Sequence, residues 1–107
     1  MTNEQLIAFC ESTSRGILNL MERKNNDYTG GESPFANFEQ SSDFGVDPIV
    51  GLSVRMGDKM KRIQTFCKNG KLSVTNEGVE DAYKDLIGYS LLALAMLNDR
   101  KVNDNAS

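Results

Sequence analysis

Between Leu86 and Leu97 the chain reads Leu-Ile-Gly-Tyr-Ser-Leu-Leu-Ala-Leu-Ala-Met-Leu, and only Ser90 and the hydroxyl of Tyr89 interrupt its apolar surface. A run of this length exceeds the roughly 4–8 residues of a buried strand. It also falls well short of the roughly 18 that would cross a bilayer, so no membrane span is expected. Leu, Ala and Met are strong helix formers, so the run predicts a helix that is apolar on most sides and buried on most sides. Just upstream, Val79, Tyr83, Leu86 and Ile87 alternate with Glu80, Asp81, Lys84 and Asp85 at helical spacing, which extends this helix to 76–98. The whole chain has 107 residues, 39% of them apolar and 25% charged, the composition of a single globular domain over 1–107. So few helices leave such a run partly uncovered, and a homo-oligomer is expected.

Two more helices follow from periodicity. Leu6, Phe9, Cys10, Thr13, Ile17, Leu20 and Met21 share one face of a helix over 2–24, and Thr2 with Gln5 forms a capping-box pattern at its start. Asp47-Pro48 supplies an N-cap and a first-turn proline for a helix over 47–69. There Ile49, Leu52, Met56, Met60, Ile63 and Cys67 recur until Asn69-Gly70 closes it. Between these helices, 25–46 shows no periodicity but carries Tyr28, Phe35, Phe38 and Phe44, which predicts a long ordered aromatic loop. The polar tail 99–107 reads as frayed. The expected fold is an all-α antiparallel bundle of three main helices.

Charge and residue types narrow the function. The chain has no histidine, which excludes a Ser-His-Asp triad, a Cys-His dyad and imidazole-based zinc sites. No cofactor is demanded by the sequence, and a metal, if one takes part, is Mg²⁺ or Mn²⁺ on carboxylates. Cys10 and Cys67 fall on apolar helix faces and read as core thiols. The N-terminus lacks the basic segment of a signal peptide, which points to the cytoplasm. Net charge is −3, unsuited to a broad nucleic-acid-binding face, yet residues 47–72 hold six Lys/Arg against two Asp/Glu. A compact basic site for a small phosphate-bearing ligand fits that local excess.

The short link between the second and third helices makes them antiparallel, so facing residue numbers add to about 144 if the turn centres near Leu72. Arg62 then stands level with Asp81, Lys59 with Asp85, and Arg55 with Tyr89. Arg55, Asp58, Lys59 and Arg62 occupy one stripe of the second helix, while Asp81, Asp85 and Tyr89 stand at i, i+4, i+8 on the third. One reading is a ladder of interhelical ion pairs that fixes register. The other is a ligand site, in which Arg55, Lys59 and Arg62 hold phosphates. Asp58, Asp81 and Asp85 would orient those cations, a ribose or a metal ion, and Tyr28, Phe35, Phe38 or Tyr89 would stack on a base.

Four motifs in order, Lys24-x-x-Asp27-Tyr28, Phe35-x-Asn37-Phe38, Arg55-x-x-Asp58-Lys59-x-x-Arg62 and Asp81-x-x-x-Asp85-x-x-x-Tyr89, resemble a family of small phage and bacterial proteins. This is the nucleotide-modification-associated domain, the first so named and formerly a domain of unknown function. The resemblance spans Lys24 to Leu97 and departs from the family pattern at Ala82, where threonine is common, and at Gly88, where asparagine is common. It implies a place in phage nucleotide metabolism or base modification, in the cytoplasm of the infected host. It also adds Lys24, Asp27 and Asn37 to the site. More distantly, Glu77-x-x-Glu80 with Asp81 and Asp85 is similar to the Mg²⁺-dependent, all-α nucleoside triphosphate pyrophosphohydrolases of the MazG type.

The leading expectation is therefore a phage-type protein that binds a nucleotide or nucleotide-derived molecule, for base modification or to sequester a host defence signal (counter-defence). The expectation is of binding without necessarily transforming the ligand, and the enzyme question stays open. The alternatives are the MazG-like pyrophosphohydrolase and a protein-protein inhibitor of a host system.

Overall fold

The computed structural model describes residues 1–29, 35, 43–70 and 78–106, with side chains at 1–24, 35, 43–70 and 78–104. The described residues form three α-helices and no strand: α1 (Asn3–Thr29), α2 (Pro48–Asn69) and α3 (Val79–Ala106). The all-α expectation holds. None of the helices is long and apolar enough to cross a membrane. The chain divides into two compact units, Met1–Pro34 and Phe35–Ser107.

The first unit is built on α1. Its start is the capping box that the sequence announces: the Thr2 N–H donates to Gln5 Oε1 at 2.8 Å, and the Gln5 N–H donates to Thr2 Oγ1 at 3.1 Å. Two backbone donors that a helix start leaves without partners are thus satisfied reciprocally. The helix does not stop at Lys24 as its periodicity suggests but runs on to Thr29. Asn and Asp lower helix propensity by less than about 0.7 kcal/mol each, too little to end a helix already propagating. Tyr28 therefore has helical backbone rather than loop backbone. Ile17 is buried and Thr13 and Met21 are half-buried, one i, i+4, i+8 line. The rest of the expected apolar face is open to solvent, with Leu6, Phe9 and Leu20 exposed. Cys10 is exposed too, against the expectation of a core thiol.

In the second unit, α2 has strong local signals at both ends. Asp47 caps it with φ −59° and ψ 133°, its Oδ1 accepting the Ile49 N–H at 2.9 Å, and Pro48 opens the first turn. Gly70 closes it in the left-handed region at φ 74°, donating its N–H to the Phe66 carbonyl at 2.7 Å. In α3, the carbonyl of Gly78 accepts the N–H groups of Asp81 and Ala82. This helix begins at Val79 and continues to Ala106, through the segment expected to fray. Residues 99–106 contain neither Gly nor Pro, and Arg100 is tied to Asp47 across the pair.

The two helices of this unit pack along a seam with alternating three- and four-residue steps. On α2 it runs Ile49, Leu52, Met56, Lys59, Ile63, and on α3 Ala82, Asp85, Tyr89, Leu92, Met96; every member is buried or half-buried. Leu52, fully buried, and Met96 form the core cluster, against which Phe35, Ile49, Tyr89, Leu92 and Ala93 pack. Facing pairs have residue numbers adding to 144 (Lys59 and Asp85), 147 (Asp47 and Arg100) and 148 (Leu52 and Met96), so α2 and α3 are antiparallel in the register the sequence implies. Met60 and Cys67, one position off this seam, are exposed rather than core. The aromatic loop lies mostly outside the described residues; of it, Phe35 packs on the core cluster and Phe44 is exposed.

Two glycines of α2 should respond oppositely to alanine. Gly70→Ala forces an L residue into the left-handed region and is expected to lower stability by about 1 kcal/mol. Gly57→Ala adds a methyl group with nothing within 4 Å, in mid-helix, and is expected to raise it by a similar amount. Urea melts of the two variants check both signs.

Candidate functional site

The basic stripe Arg55, Lys59, Arg62 spans two turns of α2 at steps of four and three. Its middle member also belongs to the apolar seam. Lys59 Nζ lies 2.9 Å from Asp85 Oδ2, and the two side chains are 16% and 30% exposed. The ion pair thus occupies the level between Met56 and Ile63 on one helix and between Ala82 and Tyr89 on the other. Arg62 is half-buried and Arg55 exposed, one on either side of Lys59 along the helix. All three cations have interaction partners in the structure.

This placement has an energetic meaning. Taking an ammonium and a carboxylate out of water costs several kcal/mol per ion when burial is complete, and their attraction returns that only with good geometry. Well-packed apolar residues in place of such a pair are often as stable or more so. The pair thus fits a role in register or ligand recognition besides stability.

The remaining expected residues divide clearly. Tyr89 is half-buried on the Leu52–Met96 cluster, as is Phe35, so two of the four proposed stacking rings converge on the same part of the core. Asp58 and Asp81 are exposed. Lys24 is exposed on α1, in the other compact unit. Asn37 and Phe38, the side chains of Asp27 and Tyr28, and Glu77 of the acidic motif lie outside the described residues. Among the described residues no group of three or more Asp, Glu or Cys side chains is placed to hold a metal ion. Ala82 and Gly88, the two departures noted in the sequence resemblance, are both buried.

Sequence reasoning missed the pair between Asp47 and Arg100. Arg100 Nη2 donates to Asp47 Oδ1, the same oxygen that caps α2. The signal was available, since the 144 register extended outward brings Asp47 close to residue 97. A third helix ending at 98 leaves Arg100 outside that register, whereas the helix continues to Ala106. The Arg100 guanidinium, and after it the Ile49 N–H, hold the Asp47 carboxyl below its ordinary value of 3.8.

Residues 40–97, more than half of the chain, match the sequence model of a family described as nucleotide modification associated domain 1. The match begins downstream of the Lys24–Tyr28 and Phe35–Phe38 motifs and contains the whole basic stripe and its acidic partners. No curated protein and no solved structure matches the chain.

Two outcomes follow. Lys59→Met leaves Asp85 in the seam without its partner and is expected to lower stability by about 1–3 kcal/mol, whereas Lys59→Met with Asp85→Leu is expected to return to within about 1 kcal/mol of the parent or above it. Chemical denaturation of the four proteins of the cycle measures this. For the outer pair, a folded carboxyl titrating below its unfolded value contributes stability above pH 3.8 that disappears as pH falls through the lowered value. The melting-temperature advantage of the parent over Asp47→Asn, which keeps a capping side chain, is therefore expected at pH 6 and is expected to vanish in acid below 3.8.

Proposed function

The chain belongs to the nucleotide modification associated domain 1 family, and with that membership as premise we propose that it binds a nucleotide, or a small molecule derived from one, on the α2–α3 face without transforming it. The observation that carries this reading is the charged pair of Lys59 and Asp85 in a seam that is otherwise apolar, flanked along α2 by Arg55 and Arg62. Lys59, drawn partly out of water between two arginines, gives a phosphate a site of reduced dielectric, where each charge contact is stronger than on open surface. Arg55 and Arg62 supply planar forks that grip phosphate oxygens two at a time, and Lys59 supplies a point charge. Asp85 keeps Lys59 oriented, while Asp58 and Asp81, exposed at the margin, are within the chemistry of a ribose hydroxyl. Phe35 and Tyr89, packed on the core cluster, offer rings on which a base stacks.

Two biological uses fit one site. A mononucleotide ligand would place the protein in base modification, and a linked or cyclic nucleotide would make it a sponge for a host defence signal. Calorimetric titration with nucleoside mono-, di- and triphosphates and with linked dinucleotides tests binding and separates these uses. Arg62→Ala is expected to weaken binding by about 1.5–3 kcal/mol, the worth of a hydrogen bond to a charged group. Arg62→Lys is expected to keep the fold and lose most of the affinity, because it retains charge without the planar fork. Unchanged affinity in a folded Arg62→Ala protein would reduce the stripe to a register ladder. Pyrophosphate release from a triphosphate with Mg²⁺ that disappears in Asp81→Ala and Asp85→Ala would make the protein an enzyme instead.

A further inference from the structure

The seam uses one side of α3, and among the described residues a second apolar face is exposed. From Glu80 to Lys101 that face repeats at three- and four-residue steps through Tyr83, Ile87, Ser90, Leu94 and Leu97. Its four large apolar members are between 43% and 64% exposed. Scattered surface leucines need no explanation, but a contiguous apolar line on one helix marks an interaction surface.

The face has a shape that complements itself. Tyr83, Leu86, Ile87 and Ser90, with Leu91 at the margin, line a shallow, almost wholly apolar hollow. The first four stand at i, i+3, i+4 and i+7, the four-cornered hole that receives a side chain from a facing helix. One turn further along, Leu94 projects with 64% of its surface exposed, the most exposed leucine of the helix. Turning a second α3 antiparallel about a twofold axis beside Ser90 makes facing residue numbers add to about 181. Leu94 of each copy then meets the Ile87 level of the other, so each knob enters the other's hole. The same operation brings Glu80, exposed at one end of the face, to Lys101, exposed at the other end. A parallel arrangement would set like charge against like.

We propose that the outward face of α3 is where two copies of this chain meet, antiparallel, with Leu94 of each seated in the Tyr83–Ser90 hollow of the other. Such an interface is isologous, using one patch twice, and closes at two subunits. Ser90, small and at the crossing, lets the helices approach closely.

Sedimentation equilibrium of the full chain is expected to give twice 11.8 kDa. Ile87→Glu and Leu94→Glu change residues already exposed, so each variant is expected to keep its helical circular dichroism and sediment at 11.8 kDa. In a background lacking the exposed thiols (Cys10→Ser, Cys67→Ser), Ser90→Cys is expected to cross-link to a covalent dimer with a short bismaleimide. Val54→Cys, exposed on the outer side of α2, is expected not to. A parent at 11.8 kDa at high micromolar protein would overturn the proposal. So would a Leu94→Glu protein that stays dimeric, or a dimer that Ser90→Cys fails to cross-link, since either places the contact elsewhere.

Discussion

Lys59 and Asp85 meet in the middle of a seam that is otherwise apolar, and the rest of the hairpin is arranged around that meeting. Leu52 with Met96 on one side, and Ile63 and Ala82 on the other, supply the burial that holds the helices together. Hydrophobic contact alone specifies register loosely, because Leu and Met repack into neighbouring holes at small cost. An ammonium and a carboxylate narrow the choice, since any slip that takes either away from an opposite charge leaves it against an apolar neighbour. The pair therefore favours the observed facing of α2 and α3 over slips that would strand either charge. In doing so it sets Lys59 between Arg55 and Arg62 on one side of the hairpin.

Much of this was legible in the sequence because the signals are local or periodic. Thr2 with Gln5, and Asp47 followed by Pro48, cap helices through hydrogen bonds to residues two or three positions away, and Gly70 ends α2 through its own backbone freedom. Antiparallel pairing across a short link then made Lys59 and Asp85 neighbours by arithmetic. What escaped was set by small differences. Asn25, Asn26 and Asp27 are weak helix formers, yet α1 crosses them to Thr29. The polar residues after Asp99 look like a tail, yet α3 carries them to Ala106 with Arg100 bound to Asp47. Helical periodicity likewise cannot say how wide the buried strip is. Met60 and Cys67 match the apolar spacing but stand one position off the line that α3 covers, and Phe9 and Cys10 match it on α1 and are exposed as well. Of the site, the α2–α3 pairing was readable, while the Lys24 to Phe38 contribution rested on resemblance and lies upstream of the family match.

Among the described residues, much apolar surface is open. Five apolar side chains are buried, Ile17 in the first unit and Leu52, Ile63, Ala82 and Met96 in the second, while α3 leaves Tyr83, Ile87, Leu91, Leu94 and Leu97 exposed. A helix apolar on two faces can serve two contacts, the one seen within the hairpin and the one proposed beyond it. The two contacts are kept apart by chemistry. The inner one is marked by an ion pair and set beside a basic stripe, and the outer one is a hole and a knob with opposite charges at its ends. The proposed nucleotide-binding face and the proposed self-association face can then share one 28-residue helix without competing for the same side chains.

The central claim is that the cations around the seam form one phosphate-binding unit, distinct from the cation that merely ties the hairpin's outer end. Nuclear magnetic resonance of the arginine Nε–H groups and the lysine ammonium, followed during titration with a nucleoside triphosphate, tests this most directly. The account predicts that Arg55, Lys59 and Arg62 shift together along one saturating curve while Arg100, held by Asp47, stays still. A titration in which Arg100 moves as much as Arg55 and Arg62, or in which none of the four moves, would contradict it.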